Sequence, residues 1–159
     1  MLNVVAATHN LVYAAQSDNC LWVARLQLLP LLVNRFFDSS AAIVAEAASA
    51  VANLSVADDV RVAMVHNRAL KACVMLLDHS DEAVCFAVCG LIMNASANPT
   101  CAANLLQAGA QFKLVEAAVA HLDLDGGGNV ATSSTACRAL ANVGDPFRYA
   151  FCMSYFSRY

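Results

Sequence analysis

Charge is scarce in this chain. Asp, Glu, Lys and Arg make up 13% of its 159 residues, against about a quarter in an average soluble domain. The nine basic residues are scattered and the formal net charge is −3, so the clustered Lys and Arg of a nucleic-acid binder are missing. Long apolar runs are missing too. Residues 83 to 112 carry no formal charge, yet the unbroken apolar stretch AVCFAVCGLIM within them is short and ends at Asn94, Ser96, Asn98 and Pro99. A membrane-spanning helix needs an apolar run of roughly 20, about twice what stands here, so this stretch reads as a buried helix. The first residues, MLNVVAATHNLVY, lack the positively charged start of a secretory signal. There is no CxxC pair, and the seven cysteines (Cys20, Cys73, Cys85, Cys89, Cys101, Cys137 and Cys152) are an odd number. Most sit among Ala and Val, where a thiol behaves as a small hydrophobe, and free thiols imply a reducing compartment. The expected localisation is cytoplasmic. There the Asn-x-Ser patterns at Asn53 and Asn94 carry no glycosylation consequence.

What the chain has is Ala, Val and Leu, in a composition that is 60% hydrophobic. That is ample for one domain with a sizeable core. It also has a puzzle. The stretch EAASAVANLS places Asn53 inside an apolar run, and similar segments surround Asn10 (VVAATHNLVY), Asn94 (VCGLIMNASA) and Asn142 (ACRALANVGD).

The four asparagines recur at a period a little over forty, with the last interval the longest. Such a period is the mark of a repeat architecture. The intervening sequence repeats as well. After Asn53 come two helical segments, DDVRVAMVHN and RALKACVMLLDH, a polar break HSDE, and the long helix VCFAVCGLIMNAS. After Asn94 come PTCAANLLQAG, AQFKLVEAAVAHLD, a glycine-rich insertion LDLDGGGNVATSS over residues 122 to 134, and STACRALANV. The insertion accounts for the longer last interval. Pro99 suits a first helical turn, Gly109 a helix stop, and Ser80 and Asp81 the cap of the helix that follows. Residues 18 to 55 give the same trio less cleanly, with Pro30 bending or starting a helix. Three amphipathic helices in about forty residues bury their surfaces only by stacking on neighbours. The sequence therefore predicts an all-α solenoid.

At this point the pattern resembles the armadillo repeat. Its consensus places a Gly between the first two helices, then a Leu-Leu pair, then an A-L-x-N-L-S ending on the third. NLLQAGAQFKLVEAA carries the Gly109 portion, CVMLLDHSDEAV the Leu76-Leu77 portion, and AVANLS, LIMNAS and ALANVG the ending. The resemblance covers roughly residues 2 to 144 and implies a right-handed α-solenoid of armadillo repeats, about three full ones plus a partial N-terminal one. The tokens EAA and NLS, the following D-V, LLD, and Val84-Cys85-Phe86 with Cys89-Gly90 and Asn94 are similar to the C-terminal armadillo region of a family member linked to building the axoneme of cilia and flagella. That likeness implies an adaptor for radial-spoke or central-apparatus components.

In armadillo solenoids the third helices line a concave groove, so the resemblance implies that Asn10, Asn53, Asn94 and Asn142 face or border one. A carboxamide has two donors and two acceptor lone pairs, which suits an extended peptide backbone. The other role, not exclusive of the first, is to tie each helix end to the next repeat. Residues four before each Asn share its helical face; they are Ala6, Ser49, Gly90 and Arg138. Seven before are Asn3, Glu46, Ala87 and Thr135. This row is small and nearly neutral. It lacks the Trp of nuclear-import receptors, since Trp22 is the only Trp, and it lacks rows of opposite charge for a strongly charged ligand. The expected partner is a protein, an extended peptide or helix of weak charge in a shallow apolar groove.

No catalytic set emerges. His9, His66, His79 and His121 lie in different repeats, each near a helix end where a cation suits the carbonyl terminus. Cys85 and Cys89 share a helix face, but no further ligand stands at metal-binding spacing. Gly126, Gly128 and Ala131 match a dinucleotide fingerprint only formally, because a helix rather than a strand precedes them. A calcium loop starting at Asp123 fails at Gly127 and Ser134. Residues 122 to 134 read as a flexible connector, and no metal, cofactor, nucleic acid or membrane is expected.

The chain begins inside a third helix and ends in GDPFRYAFCMSYFSRY, a segment rich in Phe and Tyr. The expected division is a solenoid over residues 1–144 and an aromatic tail over 145–159. The ends are expected to be those of a segment of a longer solenoid, or of a shortened product whose tail is unrelated or docks back. Two further functional readings are a cytosolic scaffold in signalling or adhesion, and a regulatory subunit that self-associates through bare ends.

Overall fold

Alanine and leucine favour helix, and here they recur where helices must approach closely. The computed structural model describes residues 2, 3, 5–7, 10, 28–120 and 130–144. Every regular element among them is helical. The order is α1 (Leu28–Asn34), a 3₁₀ turn (Arg35–Phe37), α2 (Ala41–Leu54), α3 (Asp58–His66), α4 (Ala69–Leu76), α5 (Glu82–Ala95), α6 (Pro99–Gln107), α7 (Ala110–Ala120) and α8 (Val130–Val143). Helices α3 to α5 form one three-helix unit and α6 to α8 the next. Helix α2 is the third helix of the unit before, and residues 2, 3, 5–7 and 10 are helical ahead of it.

The third helices pack side by side, α2 on α5 and α5 on α8, and these are the most extensive contacts with that of α7 and α8. Each therefore needs an apolar surface wider than one stripe. Ala47, Ala48, Ala50, Val51 and Leu54 of α2 are fully enclosed, as are Val84, Val88, Cys89, Leu91 and Ile92 of α5. Ala136, Ala139 and Leu140 continue the layer on α8. Burying each large side chain of such a layer contributes about 1.5–3 kcal/mol.

The first and second helices repeat the core at a constant shift. Val60 and Cys101, Met64 and Leu105, Ala69 and Ala110, and Cys73 and Leu114 are four pairs one repeat apart, and all of these residues are fully enclosed. Side-chain volume varies within three of the four pairs while position does not, so the repeat is kept more as a packing pattern than as letters.

Helix starts follow local chemistry. The Asp81 carboxylate accepts from the N–H groups of Ala83 (2.9 Å) and Val84 (3.3 Å). Asn98 caps α6 in the same way through Thr100 and Cys101, with Pro99 in the first turn, where its missing N–H is not needed. Ser80, also read as a cap, precedes α5 without capping it. Pro30 lies within α1.

Two boundaries differ from the sequence reading. The segment VATSS, read as connector, is the first part of α8, because Thr132 and Ser133 are buried and tertiary burial overrides the turn preference of Ser and Thr. Helix α4 stops at Leu76 rather than running to His79. The N–H groups of Leu77, Asp78 and His79 each bond three residues back, which tightens the chain into turns. The glycine-rich residues 122–129, the tail 145–159, Trp22, His9 and His121 lie outside the described residues.

Two corners between first and second helices have left-handed backbone. Gly109 has φ +84°, as expected for a residue without a Cβ. Its counterpart one repeat earlier is Arg68, with φ 56°, the one non-glycine residue with positive φ among those described. An L-residue in that region costs about 1–2 kcal/mol. Arg68→Gly is therefore expected to stabilise the chain by roughly 0.5–1 kcal/mol, after the greater unfolded-state entropy of glycine is counted. Urea denaturation at constant slope checks this; a lower midpoint would contradict it.

Candidate functional site

A helix leaves its last four carbonyls without internal partners, and the asparagines meet that need. Asn94 Nδ2 donates to the carbonyl of Ala52 at 3.0 Å, and Asn142 Nδ2 donates to that of Met93 at 3.2 Å. Each acceptor immediately precedes the asparagine of the repeat before. The same two carbonyls also accept from Ser55 Oγ (2.7 Å) and Ser96 Oγ (2.9 Å). The Asn-x-Ser pattern thus supplies one donor to its own helix end and one to the previous repeat. The carbonyl that Asn53 would reach by this rule belongs to residue 9, outside the described residues.

Beyond those bonds, the second N–H and the Oδ1 of Asn94 have no partner among the described residues. They border a shallow depression of about 310 Å³ lined by Ser49, Ala52 and Asn53 of α2 and by Phe86, Ala87, Gly90, Met93 and Asn94 of α5. At Gly90 an added Cβ would meet no atom within 4 Å. Phe86 is 45% exposed although large and apolar.

The structure brings Ser49, Asn53, Gly90 and Asn94 together around this depression. Glu46 lies half-buried, seven before Asn53 on α2. Arg138 and Asn142 are exposed on α8, one repeat further on. Asn10 is helical and exposed. Sequence alone does not place Phe86 and Met93 at the groove; they stand eight before and one before Asn94, and only the crossing of α2 and α5 turns them to the same opening.

A second set of ties joins the outer helices. Asn98 Nδ2 donates to Asp58 Oδ1 at 2.8 Å, and Cys101 Sγ donates to the carbonyl of Arg61 at 3.2 Å. The Asn98 amide first, then Arg61, holds the Asp58 carboxyl below its ordinary range. Lys113 pairs with Asp78 across the repeat boundary at 2.8 Å and with Glu116 on its own helix.

The histidines divide. His66 is the last residue of α3, as expected. His79 instead uses Nδ1 to accept from the N–H of Asp81 at 3.0 Å. Cys85 Sγ donates to the carbonyls of Leu77 and His79. No group of three or more metal-ligating side chains occurs among the described residues. Within them, no helix is long and apolar enough to cross a membrane.

Burial governs the thiols. It pushes Cys73 well above the ordinary thiol range. Cys89 rises from 9.0 to about 12, through burial first and neighbouring Cys85 second. At pH 8 an alkylating reagent is expected to leave Cys73 and Cys89 unmodified in the native chain and to label both in urea, as mapped by mass spectrometry. Rapid native labelling of either would contradict this. With a folded pKa above the unfolded one, the Cys89 contribution to stability is complete below about pH 9 and is lost as pH rises towards about 12.

No family model matches the chain, and no curated protein matches it. Solved structures do. A designed armadillo repeat protein in complex with the peptide (KR)4 superposes with TM-score 0.81 at 22% identity, over 98% of this chain and 65% of that one. Another designed armadillo repeat protein, YIII(Dq)4CqI, gives 0.78 at 22% identity, over 89% and 57%. Computationally designed armadillo repeat proteins for modular peptide recognition give 0.77 at 20% identity, over 98% and 63%. The chain spans less than two thirds of the length of each of these three. The fold is a right-handed α-solenoid of armadillo repeats.

Proposed function

We propose that the chain is a non-enzymatic protein-binding scaffold that takes an extended peptide or helix along its third helices, and that it works as an adaptor in assembling the ciliary or flagellar axoneme. The depression between α2 and α5 carries the first part. It combines apolar surface from Phe86 and Met93, empty space over Gly90, and amide groups of Asn53 and Asn94. Such a surface accepts backbone polar groups at intervals and a small apolar side chain between them. Asn10, Glu46, Ser49, Arg138 and Asn142 extend the proposed groove in both directions. Adjacent helices stand about 8–10 Å apart and an extended chain advances about 3.3 Å per residue, so each rung corresponds to two or three ligand residues.

The solved relatives bear on the ligand by contrast. One of them holds a peptide of alternating Lys and Arg, whereas the row here is nearly neutral. A weakly charged ligand fits it better. The axonemal part rests on the residues that resemble the C-terminal armadillo region of armadillo repeat-containing protein 2, chiefly Val84-Cys85-Phe86, Cys89-Gly90 and Asn94. A cytoplasmic or ciliary location belongs to the same proposal.

Gly90→Arg tests both parts, because the new side chain enters open space rather than the core. From ciliated-cell extract the natural chain is expected to capture axonemal proteins, and the variant, at unchanged helicity, to lose them. Capture of the same proteins by both would place binding elsewhere. Capture of none would remove the axonemal role.

A further inference from the structure

A second depression, of about 390 Å³, lies where the α3–α4 corner meets α6, and none of its lining residues belongs to α2, α5 or α8. Arg68, Lys71, Asn104 and Gln107 supply its polar wall, and Val65 and Leu70 are among its apolar residues.

Three of the other described cations meet carboxylates: Arg35 pairs with Asp38, Arg61 with Asp58, and Lys113 with Asp78 and Glu116. Arg68 and Lys71 have no carboxylate partner among the described residues, and no acidic side chain lines their cavity. Two like charges three apart on one corner repel each other without an anion between them.

Arg68 is also costly where it stands. The fold needs a left-handed residue at this corner and uses glycine for it at Gly109, one repeat on. The backbone demand alone would be met better by glycine, so the backbone does not account for an arginine here. An observed backbone outlier of this kind is a fair starting point for a functional inference.

We propose that this cavity binds a phosphate group, independently of the groove along the third helices. A phosphate monoester carries a charge of about −1.5 to −2 near pH 7 with three acceptor oxygens, which matches two unneutralised cations. The Arg68 guanidinium offers a planar fork of N–H donors and Lys71 a point charge. Gln107 adds an exposed amide, and Asn104 keeps a second N–H after donating to the Thr100 carbonyl at 2.8 Å. A carboxylate would balance only one of the cations. The cavity is roomier than a lone ion requires, which favours a phosphorylated residue of a partner protein over free phosphate.

The experiment is an NMR titration of the full chain with three probes: a phosphoserine peptide of otherwise uncharged sequence, the same peptide without phosphate, and inorganic phosphate at matched ionic strength. The phosphopeptide is expected to shift the amides of residues 65–71 and 104–108 saturably, and the unmodified peptide to leave them unmoved. Arg68→Gly, which relaxes the backbone, and Lys71→Gln on the surface are each expected to weaken binding about tenfold or more, the loss of one charge-assisted contact. Inorganic phosphate binding as tightly as the phosphopeptide would support the site with free phosphate as its source. Absence of saturable shifts with either phosphate probe, equal response to the unmodified peptide, or undiminished affinity in Arg68→Gly would overturn the proposal.

Discussion

Ala52 and Met93 occupy the last turns of two neighbouring third helices, where an α-helix has no N–H left to offer its own carbonyls. In this chain each of those carbonyls receives a serine hydroxyl from its own helix end and an asparagine amide from the next repeat. Much else depends on that contact. It fixes how far α5 slides along α2, and α8 along α5. The slide in turn decides which small side chains face one another in the buried layer. Alanines at Ala47, Ala48, Ala136 and Ala139 let the helices approach, but alanine is smooth and sets position poorly. The directional bond supplies what the apolar layer lacks.

The same residues then shape the surface. An asparagine that spends one N–H on the repeat before it still presents an N–H and a carbonyl oxygen at the edge of the stack. The structural and binding roles of the carboxamide are thus compatible. Ser49 and Gly90, one turn earlier, are small enough to leave the amide edge open, while Phe86 adds apolar area. Away from the third helices, the α3–α4 corner departs from the repeat pattern at one backbone-critical position. Arg68 there gives the molecule two polar surfaces of different character, one neutral and one cationic.

Much of this was legible in the sequence because the period is long and the chemistry local. The spacing of Asn53 and Asn94, the Pro99 turn, the Asp81 cap and the Gly109 corner each follow from a residue whose backbone preference is strong. The third helix of the last repeat begins earlier than its sequence suggests because Thr132 and Ser133 are weak helix formers that burial nevertheless recruits. The contact that His79 makes with the N–H of Asp81 lies in a turn that no periodicity reveals. Phe86 and the cavity at Arg68 are hidden for a similar reason: each site is made by two elements from different parts of the chain. Arg68 does carry a signal, since it stands one repeat before Gly109 in the register of the other paired positions.

The central claim is that the Asn94 amide donates to the preceding repeat and thereby holds the stack. Asn94→Asp tests it most directly, because the replacement is nearly isosteric and exchanges a donor for an anion facing the Ala52 carbonyl. Urea unfolding at pH 7 is predicted to show a loss of about 1–3 kcal/mol relative to the natural chain. The deficit should narrow near pH 4, where the carboxyl regains a proton and can donate. Equal stability of the two chains at pH 7 would contradict the account and leave the apolar layer alone to position the repeats.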